Sequence, residues 1–590
     1  MYKYIKQIIV LWAVFYMVFI LFAARGVFYN LVAVYGFIGL VGLTLINFIR
    51  IERVKLGLIT EHKRFFNIFM ILLFILIFLL VNFLVYLFFG KYLITDSNFF
   101  REFGFFLNVL DNIKYGKIIN IDFYYPYGVF LMYVYYLISL VIFNPIMSLI
   151  IAKALLDLVS MALLYLLLNL VKKSNSYLLY IILIAGIPVY VFSIGSLHAS
   201  PIRYLILILP LIFYLRLTDK KDLLSYFFLI ASPVVCYLMG PETGLISVAF
   251  VLLLLIGMSY DKTILELKSK SRIDFIALNV FIIFLFSFLN FTCSNFIKNS
   301  FQYASSIADG LVVSSLPQVL PYLKAILVTR SLDGASQLYV NAMFYSYFFP
   351  LGVLLSYSLV FVLEFIKYRK IEKFKIVVIS LTFFALAYLF KALSGLASTG
   401  YESLTLIFVI TAFYLLLSKY VNKYLVISKY ILIIYVVPQL VLFSYFMIKT
   451  HLLNYDRYGH VYDYRSDLNL SFSDAYSEYV KSLFKFTSQI KKDEKVFIFS
   501  DEGPGSYYLI NRPNYTHYLN TGFIYSNHTR EILLADIKSN KFLYILIAKN
   551  KGNYINYDNS VKTLEYICPY INEHYKLINE DDYFKVMKLK

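Results

Sequence analysis

The sequence predicts a polytopic α-helical membrane protein with about thirteen transmembrane helices and a small C-terminal α/β extracytoplasmic domain. Three observations predict it. The 590 residues are 61% hydrophobic and only 15% charged, where a soluble chain is roughly a quarter charged. Repeated apolar stretches run to about 18 residues or more, the length that crosses a hydrocarbon core of ~30 Å, where the backbone must satisfy itself as helix. Basic residues gather on alternate loops, while residues 450–590 are nearly charge-balanced and read as alternating strands and helices.

Spans are expected near 7–24, 27–49, 65–89, 147–171, 177–197, 202–217, 223–239, 243–260, 275–297, 341–366, 376–394, 403–418 and 429–448. The first run has a lysine-flanked start, but a second follows at once and no small-residue cleavage site stands out, so it is expected to remain as a span. The apolar stretch 128–144 is short and closes on Asn144-Pro145, where proline breaks a helix, and is expected to be juxtamembrane or re-entrant. With the N-terminus in the cytoplasm, the basic loops Arg50 to Arg64, Arg216 to Lys221, Lys262 to Arg272 and Lys367 to Lys375 all fall on the cytoplasmic side. The net charge of +19 is then a topogenic signal facing anionic lipid, not a footprint for nucleic acid.

This map divides the chain into a transmembrane unit, 1–449, and an outer domain, 450–590. Two outer loops, 90–146 and 298–340, belong to the first unit. The expected location is the inner (cytoplasmic) membrane, multi-pass. The cytoplasmic loops are short and hold no nucleotide-binding fingerprint, so chemistry is expected on the outer face. The three cysteines, Cys236, Cys293 and Cys568, give neither metal spacing nor a disulfide framework.

The first outer loop contains Thr95-Asp96-Ser97-Asn98, then Tyr115-Gly116-Lys117, then Ile121-Asp122-Phe123-Tyr124-Tyr125-Pro126-Tyr127-Gly128. Asp96 stands just beyond the third span, where a carboxylate meets lipids whose heads are in water and whose tails are in the bilayer. It suits a general base on an acceptor hydroxyl, or a helix cap at the interface. Other outward turns carry His198 and Arg203, the segment Gly240-Pro241-Glu242-Thr243-Gly244, and Lys391 through Glu402. Arg203, Lys391 and Arg330 suit a phosphate or serve as interfacial anchors, and Glu242, Glu402 and His198 suit orientation of an acceptor or a metal, or capping and solvation. Lys153 and Asp157 share one face of a span as a structural or functional pair.

An Asp just after a span, a Tyr-Gly loop, and Asp-Phe-Tyr-Tyr-Pro-x-Gly entering a short apolar helix together resemble the GT-C superfamily of glycosyltransferases. Protein O-mannosyltransferases and lipid A aminoarabinose transferases are among its members. The usual family loop follows one span and often reads Tyr-Pro-Pro-Gly. Here three spans precede it and Tyr127 replaces the second proline. The resemblance implies a polyprenyl-phosphate sugar donor, a glycan, lipid or protein acceptor in the cell envelope, and Asp96 as catalytic aspartate with Asp122 as a second loop acid. Charge on the leaving phosphate would be offset by Arg or Lys, or by a divalent metal such as Mg or Mn. A flippase or transporter of lipid-linked glycan, and a non-catalytic envelope assembly protein, are the competing readings.

In the outer domain, 495–500 and 542–548 are expected strands and 529–539 a helix. Gly503-Pro504-Gly505 is not a phosphate loop, because its spacing is wrong and no Lys follows.

Overall fold

The computed structural model describes residue 100, most of 103–171, 202–260, 349–368 and 372–393, strands at 462–465 and 470–472, most of 474–549, all of 558–590, and isolated residues between these segments. The expected spans at 7–24, 27–49, 65–89, 177–197 and 429–448 lie outside the described residues, and those at 275–297 and 403–418 are described only at scattered positions.

The described chain is mostly helical. It begins with α1 (Gly104–Lys114), α2 (Val129–Val141) and α3 (Pro145–Val171). The stretch 128–144 thus yields a helix of 13 residues, about 20 Å long at 1.5 Å per residue and short of a ~30 Å core. Pro145 opens α3 at the first helical position, where its missing N–H costs nothing, and Asn144 Oδ1 caps the new helix by accepting from Met147 N–H at 2.9 Å.

Residues 202–217, expected as one span, are broken. A short turn, α4 (Ile202–Leu205), is followed by α5 (Ile208–Lys220). Pro210 explains the break: it has no N–H to give Ile206, four residues back, and its ring crowds that carbonyl. Ile206 O instead accepts from Leu209 N–H at 2.9 Å and from the buried Cys236 thiol at 3.6 Å. Then follow α6 (Leu223–Met239), capped by Asp222 on Ser225 N–H, and α7 (Pro241–Tyr260). The pair α8 (Phe349–Tyr368) and α9 (Lys373–Leu393) completes the helical part.

Three described helices are long and apolar enough to cross a bilayer: Pro145–Leu168, Pro241–Tyr260 and Leu351–Tyr368. Val248, Leu252 and Ile256 of α7, and Leu355, Leu359, Leu363 and Ile366 of α8, are exposed at steps of three or four residues. Such apolar stripes are unfavourable against water and match a lipid solvent.

Ion pairs fix which helix ends lie together. Lys373 pairs with Asp219, Lys375 with Glu364 at 2.5 Å, and Tyr260 OH donates to Ile366 O at 3.1 Å. The basic segments Arg216 to Lys221 and Lys367 to Lys375 therefore sit at one end of the helices. At the other end of α9, Tyr388 meets Thr243 at the start of α7.

The C-terminal part begins with a hairpin, β1 (Tyr462–Arg465) and β2 (Leu470–Phe472), and α10 (Asp474–Thr487). It continues with β3 (Val496–Phe499), α11 (Gly503–Leu509), α12 (Asn527–Asn540), β4 (Tyr544–Ala548), α13 (Asp558–His574), β5 (Tyr575–Glu580) and β6 (Phe584–Leu589). The sheet order is β3-β4-β6-β5, with β3 parallel to β4 and the other pairs antiparallel. The expected strands and helix appear as β3, β4 and α12. A capping box between Ser526 and Thr529 starts α12. Arg512 is structural: its guanidinium donates to Ile490 O, Lys491 O and Glu494 O, tying down the turn after α10.

Gly505, in the first turn of α11, has a steric meaning. A Cβ on Gly505 would lie 2.8 Å from Phe100 Cα, so α11 rests directly on the backbone just before α1. Phe100 also stacks on Tyr476 at 5.2 Å and meets Tyr479 edge-on at 5.6 Å. Gly505→Ala is expected to cost about 1–3 kcal/mol by overpacking against an immovable backbone. Thermal unfolding and limited proteolysis near residue 100 would measure the loss.

Candidate functional site

The first loop carries a compact knot. Asn120 adopts a left-handed conformation, φ 60°, and its Oδ1 accepts from Tyr125 N–H at 2.9 Å. Asn120 N–H donates to Phe123 O at 2.7 Å. Asp122 is exposed, and its Oδ2 accepts from Ile118 N–H at 2.7 Å. Tyr125 stacks on Phe105 at 5.8 Å, and Tyr127 stacks on Phe106 at 6.3 Å. The aromatic residues of the Tyr-Pro-Tyr-Gly step are therefore anchored on α1 before the chain turns into α2.

Gly128 makes that turn. Its φ is +104°, a region L side chains rarely enter, and a Cβ there would fall 2.1 Å from Met239 O and 2.9 Å from Gly240 N. The loop's Tyr-Pro-Tyr-Gly step thus lies against Gly240-Pro241-Glu242-Thr243-Gly244, where α6 hands over to α7. Gly244 is equally constrained, since its Cβ would lie 2.6 Å from Tyr237 Cα.

Arg203 sits at this junction. It is 1% exposed, and its Nη2 donates to Glu242 Oε1. Its guanidinium lies 5.1 Å from the centre of the Tyr127 ring and 5.6 Å from that of Tyr204. Its carbonyl accepts from Thr243 Oγ1 at 2.7 Å, and Thr243 Oγ1 also shares a 2.7 Å hydrogen bond with Tyr388 OH. Tyr388 meets Tyr204 edge-on at 4.7 Å. A Cβ on Gly240 would stand 3.3 Å from Thr243 Oγ1 and 3.4 Å from Arg203 Nε, so the turn packs closely on both side chains. Glu242 retains about a third of its side-chain exposure, 31%, against 1% for Arg203. The cation is held deep and its carboxylate partner reaches it from the rim.

Of the residues singled out from sequence, the structure brings Arg203 and Glu242 together. Asp122 spends its hydrogen bond within the loop and its charge acts on Lys117 and His517. Lys391 lies in the last turn of α9, with its side chain outside the described residues. Asp96, His198, Arg330 and Glu402 also lie outside them. Among the described residues, no three of His, Cys, Asp and Glu are grouped to hold a metal ion. Lys153 and Asp157 pair at 2.6 Å, both buried, on α3.

Sequence reasoning overlooked Thr243 and Tyr388 as a support for Arg203. The Thr of the Gly-Pro-Glu-Thr-Gly turn was visible, but Tyr388 is one of 56 tyrosines and carried no signal of its own. A guanidinium is a planar fork of N–H donors that matches carboxylate and phosphate oxygens, and here its orientation is set by ring contacts and a tethered backbone.

No family model and no curated protein matches the chain. Among solved structures, it is similar to a crystal structure of ArnT from Cupriavidus metallidurans bound to undecaprenyl phosphate, at 10% identity and a TM-score of 0.42. The match covers 87% of this chain and 97% of that one. At that score and identity the likeness carries no argument about this chain.

Gly128→Ala is expected to destabilise the protein by about 2–4 kcal/mol, because both the backbone angle and the Met239 carbonyl forbid a Cβ. A lowered thermal midpoint of the detergent-solubilised chain would register it, whereas Gly116→Ala, at φ +80° with nothing within 4 Å, should cost less.

Proposed function

We propose that the protein is a membrane glycosyltransferase that moves a sugar from a polyprenyl-phosphate donor to an acceptor on the outer face of the membrane. The observation that carries this reading is the buried, ring-flanked Arg203 where the Tyr-Pro-Tyr-Gly loop meets the Gly-Pro-Glu-Thr-Gly turn, at the end of the helices opposite the basic segments. If the basic segments face the cytoplasm, as the positive-inside rule asks, then Arg203, the first loop and the C-terminal domain are all outside. The N-terminus is then cytoplasmic on the thirteen-span map.

In this reading Asp96 takes the proton from an acceptor hydroxyl. The acceptor oxygen attacks the anomeric carbon with inversion, the bond from that carbon to the phosphate oxygen breaks, and polyprenyl phosphate leaves with the bonding pair. Arg203, with Lys391 and Arg330 as further phosphate ligands, offsets the charge that develops on the leaving oxygen. Glu242 holds the Arg203 fork in its plane, while His198 and Glu402 orient the acceptor. Asp122 contributes by bracing the loop through Ile118.

Full-length protein in detergent or proteoliposomes, supplied with a panel of radiolabelled polyprenyl-phosphate sugars, tests the reading through release of polyprenyl phosphate. Asp96→Asn should lower turnover by about 10²–10⁴-fold at unchanged expression. Full turnover in that variant sinks the assignment. Arg203→Lys keeps the charge but loses the fork, and should lower kcat/KM for the donor by about tenfold or more, equivalent to ~1.4 kcal/mol.

A further inference from the structure

The seam between the first loop and the C-terminal domain contains an ionisable clasp outside the Arg203 site. Tyr124 N–H donates to His517 O at 2.8 Å, and Tyr124 pairs with Tyr518 as an isolated bridge. Lys117 Nζ donates to Asn514 O and lies 5.1 Å from the centre of the Tyr515 ring. The loop is thus received by two backbone carbonyls, Asn514 O and His517 O. The segment that presents them is held to α12 at two points: Asn540 Nδ2 donates to Tyr515 O at 3.1 Å, and Asp536 takes the ionisable end at His517. Asp536 Oδ2 accepts from His517 N–H at 2.7 Å, and Oδ1 bonds His517 Nδ1 at 2.6 Å. Asp536 is nearly buried, 8% exposed at its side chain, while His517 retains 37% and so can exchange a proton with water.

We propose that His517 and Asp536 form a proton-operated latch on the first loop: the imidazolium clamps the 514–518 segment in the form that receives Lys117 and Tyr124, and neutralisation loosens that seam. The charged groups that face His517 are Asp536 from α12, with Asp122 and Lys117 from the loop. The hydrogen bond to Asp536 holds the imidazole pKa above its ordinary value, burial opposes this, Asp122 adds to it and Lys117 subtracts. A group whose pKa is raised in the ordered state contributes stability that is complete below the free value of about 6.5 and lost as pH rises through the higher, ordered-state value. The seam is therefore tighter in acid. Only two residues separate Tyr124 on the seam from Tyr127 on Arg203, so seam and site are mechanically adjacent. The latch stands on this geometry whether or not the chain transfers sugars.

Hydrogen exchange of the full-length protein in detergent, read by mass spectrometry from about pH 5.5 to about 8.5 and corrected for intrinsic rates, tests it. Peptides covering 116–125 and 513–519 should lose protection several-fold together as pH rises, with a midpoint above about 6.5. In His517→Gln the step should vanish and exchange remain at the loosened level. In Asp536→Asn, which keeps a hydrogen-bond acceptor, the midpoint should fall. Protection that is flat with pH in the wild type, a step that survives His517→Gln, or an unmoved midpoint in Asp536→Asn overturns the latch.

Discussion

The buried charge of Arg203 is the constraint around which the rest of the helical part is arranged. A guanidinium removed from water must be matched by a carboxylate, by ring faces and by hydrogen bonds, or it will not stay folded inside. The chain meets that demand from separate stretches of sequence: Tyr127 from the first loop, Glu242 and Thr243 from the turn between α6 and α7, and Tyr388 from α9.

The same junction links the helical part and the C-terminal domain. The loop that ends at Arg203 passes through the knot at Asn120 and Asp122, and is clasped a few residues earlier by the segment Asn514 to Tyr518. At its beginning, Phe100 lies under Gly505. The C-terminal domain is therefore a backing plate for the first loop at both ends. Asp122 Oδ2 accepts from Ile118 N–H and so braces the loop, and the transfer chemistry in the proposed reading rests on Asp96 and Arg203.

Much of the fold was legible because its signals are local. Apolar length marks α3, α7 and α8, and short continuous apolar runs mark the buried strands β3 and β4. Asn144-Pro145 marks the break that separates α2 from α3. The break at Ile206 was present in Pro210 but masked by an unbroken apolar run, since hydropathy does not register a missing N–H. The helices α10 and α13 and the strands β5 and β6 were missed because their polar outward faces lower the mean hydropathy, although α10 and α13 keep a clear helical apolar period.

By itself, the sequence determined that the chain carries helices long and apolar enough to cross a bilayer and that a small α/β unit follows them, because composition and period are properties of single segments. It also singled out Arg203 and Glu242, but as independent outward residues 39 positions apart. Only the tertiary structure decided that they form one pair, that Tyr127, Thr243 and Tyr388 surround it, and that His517 and Asp536 clasp the loop beside it. Those pairings depend on how helices and domain are brought together in space, and contact between distant residues leaves no periodic trace along a single chain.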